Sequence, residues 1–198
     1  MSEPNEATRR LIPSRAIVTP GTVGVAVYDA NCLFSKHVRY LLLAFAVHGT
    51  VRARWSRRLL QETAANLAGQ LRGDSLEDLG RWLKNEADLV RDGLVEGYEH
   101  RLEAISLPDP DDRHVLAAAI ECGATTIVTF NLKDFPANET GRYEIVAVHP
   151  DAFVVSCITV NPAIAARILD DHPDAHRYIE RLRSQLPVSA GRLAELVS

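Results

Sequence analysis

Two short apolar runs constrain this chain more than any other feature. Val23-Gly24-Val25-Ala26-Val27-Tyr28 leads into Asp29-Ala30-Asn31, and Thr125-Thr126-Ile127-Val128-Thr129 leads into Phe130-Asn131. Runs of this length, rich in β-branched residues, are the pattern of buried strands. Each then sets a carboxylate or amide at the strand's carboxyl end. Residues 104–107 and 143–148 read as two further strands. Helical patterns lie between them, which implies an α/β fold with a parallel sheet, right-handed crossovers and helices on both faces. In such a fold ligands bind beyond the carboxyl ends of the strands.

The helices carry readable signals. Residues 34–48 are apolar nearly all round, through Leu41, Leu42, Leu43, Phe45 and Val47, and Gly49 closes them as a buried helix. Residues 52–71 read as a second helix with Leu60, Ala64, Leu67 and Leu71 in one stripe. Glu62 falls on its other side, with Trp55, Leu59 and Asn66. Residues 75–93 read as a third, with Leu76, Leu79, Leu83 and Val90 inward. The next has clear punctuation: Asp109 as N-cap, Pro110 at the first helical position and Gly123 just past the end. After His149 the pattern is helical alone, at 162–170, 173–186 and 189–197. The organisation expected is an N-terminal tail over 1–22, a main domain over 23–149 and a helical extension over 150–198.

Bulk properties add limits. The chain has 198 residues, a net charge of −4 and ordinary hydrophobic and charged fractions of 46% and 24%. That balance argues against a generally basic nucleic-acid coat and leaves room for a local basic groove. Cys32, Cys122 and Cys157 form no CxxC pair and read as reduced core thiols, which points to the cytoplasm. No run reaches the roughly 18 apolar residues of a membrane span.

Acidic and amide residues gather in four segments: Asp29 and Asn31; Glu62; Asp109, Asp111 and Asp112; and Asn131 and Asp134. Each has a bland explanation. Asp29 and Asn31 suit a turn or cap, Glu62 a surface helix, and Asp109 and Asp111 the first turn of a helix, where the macrodipole favours carboxylates. Together they point elsewhere. Carboxylates gathered at one sheet edge raise each other's pKa and repel. A hard cation such as Mg²⁺ or Mn²⁺, which prefers oxygen ligands, is the usual reason for such a grouping.

Asp29 after the first strand, Glu62 on a following helix, Asp112 in Asp112-Arg113-His114-Val115-Leu116-Ala117-Ala118-Ala119, and Gly123 leading to Ile127-Val128-Thr129-Phe130-Asn131 make the chain similar to PIN-domain ribonucleases. It most resembles the VapC-type toxins of bacterial toxin–antitoxin pairs, from about Val23 to His149. The phrase from Asp109 to Ala119, followed by Val128-Thr129-Phe130-Asn131-Leu132-Lys133-Asp134-Phe135-Pro136, resembles one branch of that family, as does the helical tail. The long lead before the first strand is a departure.

The resemblance implies a three-layer α/β/α fold and an Mg²⁺- or Mn²⁺-dependent endonuclease acting on RNA. Asp29 and Asp112 would be the main metal ligands, with Glu62 acting directly or through metal-bound water. The family's fourth position is often Asp; here Asn131 stands there, which lowers the site's charge and weakens the case for a second ion. Asp134, three residues on, is the candidate to compensate. The expected catalytic set is therefore Asp29, Glu62, Asp112 and Asn131, and the metal set Asp29, Asp112, Glu62 and Asp134. Thr129 and Asn31 are candidates to orient ligands through hydrogen bonds, and His114 is a minor candidate for substrate contact. The resemblance implies an antitoxin as partner and a homodimer through helices near the N-terminal half; the apolar 34–47 segment suits either the core or such an interface.

RNA contact would come from Arg52, Arg54, Arg57 and Arg58, with Trp55 among them; Lys36 and Arg39 are secondary candidates. A solvated helix face is the alternative for this patch. Such arginines steer phosphates without reading sequence. Three rival readings remain. A haloacid-dehalogenase-type phosphatase would want an Asp where Asn31 stands. A phospho-acceptor receiver domain would need its acceptor after a middle strand. A PIN-like scaffold with a weakened site would bind RNA or a partner without cutting, and Asn131 is what favours it.

Overall fold

The computed structural model describes residues 23–70, 88, 90 and 92–197. The expected tail over 1–22, Leu71, and the expected helix over 75–93 apart from Asp88, Val90, Asp92 and Gly93 lie outside that range.

Five parallel strands form the sheet: β1 (Val25–Tyr28), β2 (Arg52–Ser56), β3 (Leu94–Val95), β4 (Thr126–Val128) and β5 (Val146–Val148). Their order is β3-β2-β1-β4-β5. The chain builds outward on one side of β1 and then returns to the other. The order therefore reverses between β1 and β4, whose register sets Val27 beside Ile127 and Tyr28 beside Val128. That is the switch point at which doubly wound sheets open a crevice. β1 and β4 are almost wholly buried, as a central parallel strand must be.

Among the described residues the α-helices are α1 (Ala30–Phe34), α2 (Lys36–Val47), α3 (Arg57–Gln70), α4 (Arg113–Glu121), α5 (Ala137–Thr140), α6 (Pro150–Val160), α7 (Pro162–Asp170), α8 (Ala175–Leu182) and α9 (Pro187–Ala194). The start of α4 follows the expected punctuation. Asp109 accepts a hydrogen bond from the Asp111 backbone N–H at 2.9 Å, and a 3₁₀ turn over Pro110–Asp112 feeds the helix. Gly123 ends it at φ +64°, a conformation that favours glycine.

Two expectations fail, both for tertiary reasons. Residues 52–56 are a strand and not the first turns of a helix; only α3 from Arg57 is helical. Arg-Ala-Arg-Trp-Ser alternates Arg outward with Ala53 and Trp55 inward, and pairing with β1 satisfies its backbone. Gly93 beside it is required: a Cβ there would stand 2.5 Å from the Trp55 ring. Residues 104–107 are not a strand. A 3₁₀ segment (Glu99–Ala104) ends there, Ile105 and Leu107 are buried without a ladder, and Leu94–Val95 holds the place beside β2.

The tail helices lie near the expected positions, and α7 has the expected bounds. α6 is additional; its β-branched Val, Ile and Thr residues disguise it. Phe153, Val154 and Cys157 of α6 join the same core as the sheet, with the Phe153 ring edge-on to Tyr28 at 5.9 Å. Buried Asp151 anchors the far end of the tail, accepting from Val188 N–H, Ser189 N–H and the Ser189 hydroxyl at 3.0, 2.8 and 2.6 Å. Among the described residues, no single helix is long and apolar enough to cross a membrane.

Candidate active site

The site is built around Asp29, just beyond β1. Thr129, just beyond β4, donates its hydroxyl to Asp29 Oδ2 at 2.7 Å, and the Asn31 amide donates to the same oxygen at 2.6 Å. Asn31 also donates to Thr129 Oγ at 3.0 Å and accepts the Phe130 N–H at 3.1 Å. The Thr129 hydroxyl further accepts the Asn131 N–H at 2.9 Å. The two strand ends are thus laced together, and Asp29, at 6% exposure, is held in one orientation. Burial raises its pKa, while the Thr129 hydrogen bond pulls the other way.

Glu62 arrives from α3. Its Oε1 receives Arg58 Nε at 2.9 Å and stands 3.1 Å from His114 Nε2. Burial pushes its pKa up, but these two partners outweigh that and hold it below the ordinary value. His114 is 2% exposed, and its Nδ1 is buried with no partner among the described residues. Arg58 also reaches Asp111, whose carboxylate is 3.8 Å away, so one guanidinium bridges α3 to the turn before α4.

Asp112 is half-buried, and its carboxyl is pushed up to about 6, first by burial and then by the charges of Asp29, Asp109 and Asp134. Asp134 is itself buried and accepts a hydrogen bond from the Asn131 amide. Asp112 therefore feels the charges of Asp29 and Asp134, and Asp29 that of Glu62. As they stand, no three His, Cys, Asp or Glu side chains among the described residues form a ready-made metal cage. The donor chemistry nonetheless fits a hard divalent ion. The set is carboxylate oxygen, no side chain among the described residues donates to Asp112, and a cation would relieve the carboxylate repulsion that adds to burial in raising that pKa.

The basic patch does not hold together. Arg54, on β2, donates to the Ala53 carbonyl and lies near Cys122, at the end of α4 remote from Asp112. Arg52 pairs with the start of β1 and so faces the opposite sheet edge. Arg57 is exposed, 3.8 Å from Glu96, and Arg58 is engaged with Glu62. Buried Arg39 donates to the Leu33 carbonyl, which makes it a structural residue. Lys36 is exposed at the start of α2. His114, a minor candidate by sequence, stands directly beside Glu62. The signal for it was a polar residue at the head of a helix whose next five positions are buried and apolar; a buried polar group needs a partner.

A parallel sheet with its switch point at Asp29 and Thr129, flanked by helices that bring further carboxylates to that edge, defines the class. Residues 25–133 match the PIN domain family, and the chain belongs to it. Within that family the chain is 36% identical over 93 residues to the Mycobacterium tuberculosis (strain ATCC 25618 / H37Rv) protein named "Putative ribonuclease VapC50". The match covers 43% of this chain and 55% of that relative, so it spans about half of the relative's length. No solved structure matches the chain.

Proposed function

We propose that this protein is an Mg²⁺- or Mn²⁺-dependent endoribonuclease that hydrolyses RNA phosphodiester bonds, and that it is the toxin of a toxin–antitoxin pair. The observation that carries this reading is the convergence of Asp29, Glu62, Asp112 and Asp134 on one edge of a PIN-family sheet. The ribonuclease name of the relative supports it. Residues 23–149 would form the nuclease domain and 150–198 a helical extension.

Asp29 and Asp112 would hold the ion, with Glu62 and Asp134 at its margin. When bound, such an ion lowers the pKa of a water and neutralises charge on the phosphate. The chain's own residues do the positioning. Thr129 and Asn31 fix Asp29. Arg58 and His114 occupy Oε1 of Glu62, which leaves Oε2 to accept a hydrogen bond from the attacking water. With its pKa lowered, Glu62 is a weak base, and it orients that water without storing its proton. Arg57 is the exposed cation nearest to Arg58 in sequence and would steer the RNA backbone. An antitoxin would silence the enzyme by covering this edge; the 34–47 segment does not carry a homodimer, because Val38, Leu41, Leu42 and Phe45 are wholly buried in the protein's own core.

One observation favours the alternative of a weakened scaffold that binds RNA or a partner: the neutral Asn131, tied to Asp134. RNA cleavage by the purified protein with Mg²⁺ or Mn²⁺, with EDTA, and by Asp29→Ala separates the two. Cleavage lost in EDTA and in the variant supports the nuclease. Well-folded protein that cuts no RNA with either ion supports the scaffold.

A further inference from the structure

Beside the carboxylate cluster lies a cavity of about 360 Å³, lined by Asn31, Phe34, Ser35, Phe130 and Gln185. We propose that it is a subsite for one unpaired nucleobase of the RNA strand, next to the phosphate being cut. The inference rests on the ribonuclease reading and specifies its substrate.

Three observations converge on it. The first is position. Asn31 is shared: its amide holds Asp29, and the residue also forms a wall of the cavity. A group seated there is one residue's width from the candidate reaction centre. The second is chemistry. Phe34 and Phe130 are both only partly buried, though each follows directly from a buried segment. Phe130 is braced by the His149 ring, edge-on at 5.0 Å, and its N–H is bonded to Asn31. Aromatic rings fixed beside a phosphate site are the means by which proteins seat unstacked bases. The volume falls within the range of small-ligand pockets, about 300–1,000 Å³.

The third is the polar wall. Ser35 donates its hydroxyl to Gln185 Oε1 at 2.5 Å, across 150 residues of sequence. That bond fixes the amide with its carbonyl satisfied, and the amide N–H groups of Gln185 have no partner among the described residues. A fixed donor beside aromatic rings suits the acceptor edge of a base, such as a ring nitrogen or an exocyclic carbonyl. Gln185 comes from the turn between α8 and α9, and just beyond it Val188 and Ser189 of α9 are bonded to Asp151 of α6. The tail thus contributes directly to the cavity through Gln185.

The test uses two readouts on full-length wild type, Phe34→Leu, Phe130→Leu and Gln185→Met, each verified as folded by thermal denaturation. In the first, a short single-stranded RNA carrying 2-aminopurine is added to metal-free protein. Stacking should quench its fluorescence in wild type, with affinity falling roughly five- to a hundredfold in the Phe variants. In the second, cleavage with Mn²⁺ is compared for intact RNA and RNAs abasic on either side of the cut. One abasic position should lower wild-type kcat/KM by a similar factor, and that penalty should shrink in the variants. No quenching in wild type, or quenching that the variants leave unchanged, overturns the subsite. If wild type quenches in the Phe-dependent manner but cuts nothing, the subsite stands and the nuclease reading fails. If wild type cuts but ignores abasic positions, the nuclease stands and the subsite fails.

Discussion

The two halves of the carboxylate cluster are built in opposite ways. Asp29 is buried at the end of a central strand and carries hydrogen bonds from Asn31 and Thr129, so its geometry is set by the sheet. Glu62 and Asp112 come from helices and are half-exposed; Glu62 is held by Arg58 and His114, while no side-chain donor to Asp112 is found among the described residues. The difference in charge state follows. Glu62, with two cationic or donating neighbours, is kept below its ordinary pKa, whereas Asp112, pushed up first by burial and then by three nearby carboxylates, rises to about 6. The sheet half is preorganised; in the helix half Asp112 carries its charge under repulsion, and a cation would be drawn to it.

The comparison can be broken most forcefully at its rigid half. Asp29→Ala should lower kcat/KM for RNA by more than about 100-fold, since loss of residues that only support a metal ligand typically costs about 10–100-fold. Steady-state cleavage with saturating Mn²⁺ measures it, and near-normal activity would show that the sheet half is not the reaction centre.

His114→Ala probes the helix half. Freed from one of its two holders, Glu62 should lose orientation, with kcat/KM down about 10–100-fold and little change in fold. His114→Gln, which can still donate to Glu62, should recover part of the rate. Equal loss in both variants would mean that His114 matters only for packing.

Thr129→Val asks how much the lacing of the strand ends is worth. It removes one donor to Asp29 and one acceptor for the Asn131 N–H, so unfolding in denaturant should show a loss of about 1–3 kcal/mol. Activity should fall as well, because Asp29 can then rotate.

The smallest effect is electrostatic. Asp112 titrates near 6 in the folded protein against an ordinary 3.8, burial being the first cause. An acid whose pKa rises on folding binds more protons folded than unfolded between those values. Its contribution therefore falls as pH rises from about 4 to about 6. In metal-free buffer, wild-type Tm should drop across that window relative to Asp112→Asn, and added Mn²⁺ should reduce the difference. Parallel Tm curves for the two proteins would show that the repulsion at Asp112 is absent.

Much of this architecture was legible in the chain. The runs ending at Asp29 and Thr129 mark central strands because full burial leaves them little but β-branched and small apolar residues. Asp109, Pro110 and Gly123 bracket the 3₁₀ turn and α4 because capping and positive φ are local demands. The strand at Arg52–Ser56 was hidden by its arginines, whose charge suggested a helix face although Ala53 and Trp55 alternate inward. A helix there would have gathered four arginines; the strand instead sets Arg52 at the far edge and leaves Arg57 and Arg58 on α3.

The sequence by itself thus determined the parallel α/β class, the two strand ends at the switch point and the acidic residues available to them. It could do so because each depends on neighbours within a few residues. Only the tertiary structure decided that Arg58 and His114 hold Glu62, that Asn131 is tied to Asp134, and that Gln185 meets Ser35 beside Phe130. Those contacts depend on how α3, α4 and the tail helices pack on the sheet, and no local spacing encodes the packing of segments up to 150 residues apart.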